Sequence, residues 1–265
     1  MLNNKLQTIL YYTENNIAYV TLNRPEIHNA FNDVMIKELS IVFDEIKREN
    51  KIRVVVLTGN GKSFCAGADL NWMRKVKDYS YEKNLKGSLE LSELFHKIYT
   101  SPKPTIAKVN GVAIGGGTGL VAACDIAVAS ENAKFSFSEV KIGLIPACIS
   151  PYVVKKCGEG KCREFFLTGE RMLAEKAKKA GLINFISSLE KLDEFVDKLI
   201  NQLISSGPIA ISKCKELLQK VPEMNIKKAG EYTAEVIAKM RISNEGQEGM
   251  NAFLQKRKPD WNKDV

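Results

Sequence analysis

Four short apolar runs set the tightest limit on how this chain can fold: 17–22 (IAYVTL), 52–57 (IRVVVL), 104–109 (PTIAKV) and 125–130 (DIAVAS). Runs of this kind, rich in β-branched residues and apolar at most positions, read as buried strands. Between the first pair, Val34, Leu39, Val42, Phe43 and Ile46 recur at helical spacing over 33–49, with Asn32 or Asp33 placed to cap the helix. Between the second pair, 115–124 is glycine followed by small apolar residues, which suits a tightly packed helix. This strand–helix–strand rhythm predicts an α/β fold with parallel strands.

After about residue 150 the pattern turns helical. Leu189, Leu192, Val196, Leu199 and Leu203 form one amphipathic stripe. Gly207-Pro208 then opens a helical stretch to about 220, Pro222 interrupts it, and a last pair of helices is expected over 225–254, ahead of Lys258-Pro259. Sixty residues of this kind are too few for a core of their own. The expected organisation is a core over 1–205 and a helical region over 206–265 that packs on that core or on a neighbouring subunit.

Several function classes drop out. The six cysteines include no C-x-x-C and the two histidines belong to no zinc spacing, so most of the thiols read as buried small apolar residues in a reducing compartment. The net charge of +8 is dispersed; 74–86 holds five basic and two acidic residues, and 171–179 holds four basic and one acidic. A solvated lysine-rich surface accounts for it better than a nucleic-acid footprint, and a small phosphorylated ligand is compatible. No run of 18 apolar residues is present, and the opening MLNNKLQTILYYTENN lacks a basic-then-apolar leader pattern, so the expected location is cytoplasmic.

Gly59-Asn60-Gly61-Lys62-Ser63 imitates the end of a phosphate-binding loop, but the glycine that the full motif needs is Val56. Gly115-Gly116-Gly117-Thr118-Gly119 is no dinucleotide fingerprint, since Leu120 stands where the last glycine belongs, and no G-x-S-x-G elbow is present. Two glycine-containing turns remain, 63–70 (SFCAGADL) and 111–117 (GVAIGGG), each leading from a strand region into a helix. Small residues there leave backbone N–H groups uncovered at helix N-termini, and two such groups aimed at one point make an oxyanion hole. A third feature is Glu139, set between apolar segments and followed by Gly143-Leu144-Ile145-Pro146, where partial desolvation would raise its pKa toward a range useful for moving protons.

Asn23-Arg24-Pro25…Asn29-Ala30, Ala66-Gly67-Ala68-Asp69-Leu70, Asn110-Gly111…Gly115-Gly116-Gly117, Cys124-Asp125 and Glu139…Gly143…Ile145-Pro146 together resemble the crotonase (enoyl-CoA hydratase/isomerase) superfamily, in order and over nearly the whole chain. The resemblance implies an α/β spiral of ββα turns with a C-terminal helical oligomerisation region, assembled as trimers or hexamers. It implies an acyl-CoA thioester as substrate, with coenzyme A as part of the substrate and no separate cofactor or metal. The thioester oxygen is then expected between the amides of Ala68 and Gly116, with Ala66, Gly67, Asp69, Leu70, Gly115 and Gly119 in the substrate-lining segments and Glu139 as the proton-transfer group.

One position departs from the family pattern. Hydratases of the superfamily commonly carry a first glutamate just after the glycine triplet, and Gly119 occupies that place. Glu139 would then hydrate a 2-enoyl thioester alone, with Thr118, substrate or backbone groups holding the water, or shuttle a proton between carbons as an enoyl-CoA isomerase. Asp69-Leu70-Asn71-Trp72-Met73-Arg74 and 245–259 resemble bacterial methylglutaconyl-CoA hydratases of leucine breakdown, which implies 3-methylglutaconyl-CoA as substrate, with the space at Gly119 admitting its branched acyl group. A non-catalytic acyl-CoA-binding or RNA-binding homologue is the remaining alternative, supported only by the lysines of 74–86. Trp72, Tyr79, Tyr81, Trp261 and the methionines are expected in core or interface packing.

Overall fold

The computed structural model describes residues 6–262; the first five residues of the segment read above for a leader, and the last three of the chain, lie outside it. Each long apolar run becomes a strand of one six-stranded sheet, ordered β1-β2-β3-β5-β7-β10. Its members are β1 (Ile9–Glu14), β2 (Ile17–Leu22), β3 (Val54–Gly59), β5 (Thr105–Val109), β7 (Ile126–Ser130) and β10 (Phe185–Ser187). From β2 onward the pairing is parallel, as the rhythm predicted. β1 is antiparallel to β2, a hairpin outside the sequence reading. Its turn is Asn15-Asn16, both at positive φ (48° and 64°), which asparagine tolerates and which matches the twist of the flanking strands.

The central strands β2, β3, β5 and β7 are mostly apolar because that part of the sheet is covered on both faces. On one side Ile17, Val54, Val56, Ile106 and Val128 pack against Leu192, Val196, Leu199, Ile200 and Ile204 of α7 (Leu192–Ile204). The stripe is one residue set shorter than expected: Leu189 sits in a 3₁₀ turn before the helix and is 51% exposed. On the other side lies the main core, which holds α1 (Asp33–Arg48). Asn32 caps α1 by accepting from Met35 N at 3.0 Å, and Met35, Leu39, Val42, Phe43 and Ile46 form its buried face.

A second sheet of four short strands carries the rest of the architecture: β4 (Ser63–Cys65), β6 (Val112–Ile114), β8 (Lys134–Ser136) and β9 (Arg171–Leu173), in that order. Each of β3, β5 and β7 in the large sheet is followed at once by β4, β6 or β8 in the small one, and then by helix. After β4 come α2 (Leu70–Val76) and α3 (Tyr81–Tyr99); after β6 comes α4 (Gly116–Ala123). After β8 come a 3₁₀ turn (Ser138–Ile142) and α5 (Ser150–Thr168). That is the repeated ββα spiral, with β4, β6 and β8 parallel neighbours. Gly158 (φ 74°, ψ 157°) breaks α5 into two pieces, and α6 (Ala174–Lys179) links β9 to β10.

The C-terminal helices are α8 (Pro208–Lys220), α9 (Ile226–Ile242) and α10 (Asn244–Leu254), near the expected boundaries. α8 is tied to the body of its own chain. The Lys215 ammonium, 9% exposed, pairs with the Asp125 carboxylate, which also accepts from Thr105 N at 2.7 Å and Thr105 Oγ1 at 2.9 Å. Arg53 donates to the carbonyls of Ile204 (3.0 Å) and Ser206 (2.7 Å). Of the six cysteines, Cys65, Cys124 and Cys162 are buried, whereas Cys214 is exposed on α8. Burial pushes the Cys65 and Cys124 thiols up to about 12. No helix among the described residues is long and apolar enough to cross a membrane.

Asp125→Ala leaves a buried ammonium without its carboxylate. Because the aspartate is 29% exposed, the expected loss is about 2–4 kcal/mol of unfolding free energy in chemical denaturation, somewhat below that of a fully buried pair.

Candidate functional site

The three parallel strands of the small sheet end side by side, and each releases the chain into a different part of one cleft. Parallel sheets collect ligand sites at their carboxyl ends for this reason. β4 leads into Ala66-Gly67-Ala68-Asp69, β6 into Gly115-Gly116, and β8 into Phe137-Ser138-Glu139. The cleft has a volume of about 710 Å³ and is bordered by Ala66, Gly67, Ala68, Leu70, Gly115, Gly116 and Glu139, all of them expected from the sequence, together with Phe31, Trp72, Ile145 and Ile149.

Two glycines make the turns possible. Gly67 (φ 91°) and Gly115 (φ 55°) occupy left-handed backbone that disfavours any side chain. The first turn is held in an extended bridge to Phe31, whose N–H donates to Gly67 O at 2.8 Å and whose carbonyl accepts from Asp69 N at 2.9 Å. In an extended segment the groups of successive residues point to opposite sides, so the Ala68 N–H faces away from the Phe31 backbone. At the second turn Gly115 N donates to Ser136 O at 2.8 Å, and Gly116 opens α4. The first N–H of a helix has no carbonyl behind it to bond, and it carries the positive end of the helix dipole.

Glu139 lies against the second turn: a Cβ at Gly115 would come within 3.0 Å of its Oε1. The side chain is half-buried, and Oε2 is shielded from solvent without a hydrogen-bond partner. Burial therefore raises the Glu139 carboxyl above the usual glutamate range, only partly opposed by a backbone hydrogen bond. Among the described residues it is the one carboxylate bordering the cleft. A carboxyl made more basic by burial, next to amides able to hold an anionic oxygen, can take a proton from one atom and return it to another.

Two residues of the expected substrate-lining set lie off the cleft. Asp69 is 5% exposed and serves the local structure. Its Oδ1 accepts from Asn71 N (2.7 Å) and Trp72 N (3.4 Å) at the start of α2, and its Oδ2 accepts from Arg24 Nη2 at 2.6 Å. Burial alone would raise this carboxyl, but the Arg24 guanidinium and the two amides hold it below the usual aspartate range. Gly119 is buried inside α4, and the space that a side chain would take there is already filled. A Cβ at 119 would overlap Ile149 Cγ2 and press on Phe95 Cε1. The expected room for a branched acyl group at this glycine is thus absent, because Ile149, 3% exposed, occupies it. Thr118 cannot hold a water either. Its hydroxyl faces Ala113 O at 2.8 Å and Ser136 O at 3.2 Å, pinning α4 to β6 and β8.

Phe31 and Ile149 escaped the sequence reading because neither lies on an amphipathic stripe. Phe31 adjoins the Asn29-Ala30 motif, and that neighbourhood was its only signal. Two smaller cavities flank the cleft. One, about 210 Å³, shares Ala66 and Ile114 with it and carries His28, Lys134 and Arg171. The other, about 260 Å³, shares Trp72, Ser88 and Leu91 and carries Lys37, Lys83 and Lys86 alongside Asp33 and Glu90. The lysine-rich 74–86 stretch thus borders the second of these. Tyr79 lines that cavity as well, and Trp261 packs against Gly249.

Residues 12–264 match the family model described as Enoyl-CoA hydratase/isomerase. The crystal structure of an enoyl-CoA hydratase from Shewanella pealeana superposes with a TM-score of 0.95 at 41% identity, over 98% of each chain. The short-chain-enoyl-CoA hydratase of Clostridium acetobutylicum is 30% identical over 96% of this chain and 97% of its own length. The 2,3-dehydroadipyl-CoA hydratase of Escherichia coli is 30% identical over 97% of this chain and 99% of its own.

Gly119→Ala is expected to destabilise the protein by about 1–3 kcal/mol through overpacking, and by clearly less in an Ile149→Ala background, as a double-mutant cycle in urea would show. For Glu139 the raised carboxyl means that the folded state binds more protons than the unfolded one between the ordinary glutamate pKa and the raised one, so stability falls as pH climbs through that window. Glu139→Gln removes this dependence. Its melting temperature should exceed that of the wild type at neutral pH, and the gap should close as pH drops below the ordinary glutamate range.

Proposed function

Because the chain belongs to the enoyl-CoA hydratase/isomerase family and is an enzyme of enoyl-CoA hydratase type, we propose that its cleft adds water reversibly across the double bond of a 2-enoyl-CoA thioester, with Glu139 alone moving the protons. The observation that carries the single-carboxylate mechanism is Glu139 itself, half-buried, lacking a partner for Oε2, and set against Gly115 beside the first amide of α4.

In the forward direction the Glu139 carboxylate takes a proton from water as the water oxygen bonds to C3. The π electrons move through C2 to the thioester oxygen, which becomes an enolate oxygen held by the N–H groups of Ala68 and Gly116. The protonated Glu139 then delivers its proton to C2, the carbonyl re-forms, and one water has been added across the bond. A raised carboxyl suits both halves of this cycle, since it takes a proton from water more readily than an ordinary glutamate does and, once protonated, is still a far stronger acid than water. The cationic cavity beyond Ala66, with His28, Lys134 and Arg171, supports placing the phosphates of coenzyme A on that side.

For the acyl group the reading is 3-methylglutaconyl-CoA. Support comes from the second flanking cavity, whose three lysines against two carboxylates favour an anionic far end of the chain. The space once expected at Gly119 contributes nothing to it. Exposed Ile226 (93%), Ile242 (78%) and Phe253 (84%) on α9 and α10 support assembly through these helices, as trimers or hexamers. The single carboxylate also fits an isomerase, which would move a proton between C2 and C4 of a 3-enoyl thioester through the same enolate.

Glu139→Gln should retain acyl-CoA affinity and lose at least about a hundredfold in kcat, measured by loss of the enoyl-thioester absorbance. Retained activity would show that another group carries the proton. Appearance of that absorbance from a 3-enoyl substrate, without hydration of the 2-enoyl form, would assign the isomerase. Turnover of crotonyl-CoA in preference to 3-methylglutaconyl-CoA would defeat the acyl assignment alone.

A further inference from the structure

We propose that Phe31 is a positioning residue that sets the spacing between the amides of Ala68 and Gly116, an inference that rests on the assignment of those amides to the thioester oxygen. The two amides belong to turns far apart in sequence, and a pair of donors is useful only if both reach one oxygen at hydrogen-bond distance. Phe31 touches both turns. Its backbone N–H and carbonyl bond to Gly67 O and Asp69 N on either side of Ala68, which sets the orientation of that amide. Its ring tip rests on Gly116, so closely that a Cβ there would overlap Cζ and Cε1.

The ring has little freedom to move. Phe31 is 5% exposed, and its ring packs tilted against Trp72, with centroids 6.2 Å apart. A single guanidinium holds both sides of the bridge: Arg24 Nη1 donates to Ala30 O at 2.7 Å and Nη2 to Asp69 Oδ2 at 2.6 Å. Asn29, fully buried, adds bonds from Nδ2 to Asn60 O (2.9 Å) and Ser63 O (2.8 Å), anchoring the segment to the approach to β4. The benzyl group is therefore a spacer of defined length between a turn it bonds and a helix start it abuts. Glycine at 116 is what allows the contact.

Two variants change the spacer in opposite senses while leaving the backbone bonds available. Phe31→Leu removes the ring tip, and Phe31→Tyr extends it toward Gly116 with a hydroxyl. The probe is butyryl-CoA labelled with ¹³C at the thioester carbonyl, which the enzyme binds but cannot hydrate, read by infrared difference spectroscopy. On binding to the wild type the carbonyl band should move to lower frequency. In both variants it should move by half as much or less, butyryl-CoA affinity should stay within about threefold, and kcat for hydration should drop about tenfold to a hundredfold, the scale of a misplacement near 1 Å. A full band shift with undiminished kcat in both variants would overturn the proposal. So would a loss confined to the leucine variant and matched by a lower melting temperature, which would reduce Phe31 to core packing. If the leucine variant does not fold, the tyrosine variant, which keeps the ring, decides alone. No band shift in the wild type would remove the donor assignment itself, and this proposal with it.

Discussion

The parallel alignment of β4, β6 and β8 is the constraint from which the site follows. Ala113 pairs with Phe135 and Ile114 with Ser136, and Gly115 N continues the ladder to Ser136 O, so the ends of β6 and β8 are level. Cys65 pairs with Ala113 on the other side, after a register shift that follows Ser63. Three strand ends held at one height deliver an amide turn, a helix start and an acid to the same place. Because each small strand follows directly on one of β3, β5 and β7, the register of the large sheet places that of the small one. The buried Val-Ile-Leu faces of the core thus act on the chemistry through geometry.

Close approach is the second theme, and glycine serves it in more than one way. At Gly67 and Gly115 the backbone itself needs the residue. At Gly117 the need is proximity, since a Cβ would collide with Cys65 O of β4. At Gly119 it is proximity to Ile149. The start of α4 is therefore wedged between β4, Phe31 and the 145–149 loop, and the hydroxyl of Thr118 fastens it to two strands at once. On the proposed assignment of the Gly116 amide to the thioester oxygen, a donor fixed in this way needs little rearrangement as charge develops.

Much of this was legible in the sequence, and the gaps have physical causes. The central strands announced themselves because a sheet covered on both faces favours apolar residues at most positions. Helices α1, α4 and α8, and the outer ends of the α9–α10 pair, were bounded to within a few residues by caps, glycines and prolines, whereas the break between α9 and α10 was not placed. β4, β6, β8 and β9 are three residues each, too short for any periodicity, and became visible only through the turns that follow them. The two glycine turns and Glu139 were legible as small or acidic residues after strands, whereas the choice of Ala68 and Gly116 within those turns came from the family resemblance. The true neighbours of Gly119 were not legible, because Ile149 arrives from a segment thirty residues on that has no regular structure. Asp69 misled for a related reason: an acid beside a glycine turn looks ligand-facing until its partner, Arg24, is seen to approach from 45 residues away.

The carbonyl clamp of Arg53 and the pairing of Lys215 with Asp125 span 151–153 and 90 residues of sequence. During synthesis on the ribosome, both sheets and the whole cleft have emerged before the helices that supply the far halves of these contacts exist. Arg53 and Asp125 therefore leave the ribosome well ahead of Ile204, Ser206 and Lys215, which all lie in the last quarter of the polypeptide. The pairing of Lys215 with Asp125 can therefore close only once synthesis has passed residue 215, and a chain cut short before that point would leave Asp125 without its ammonium partner.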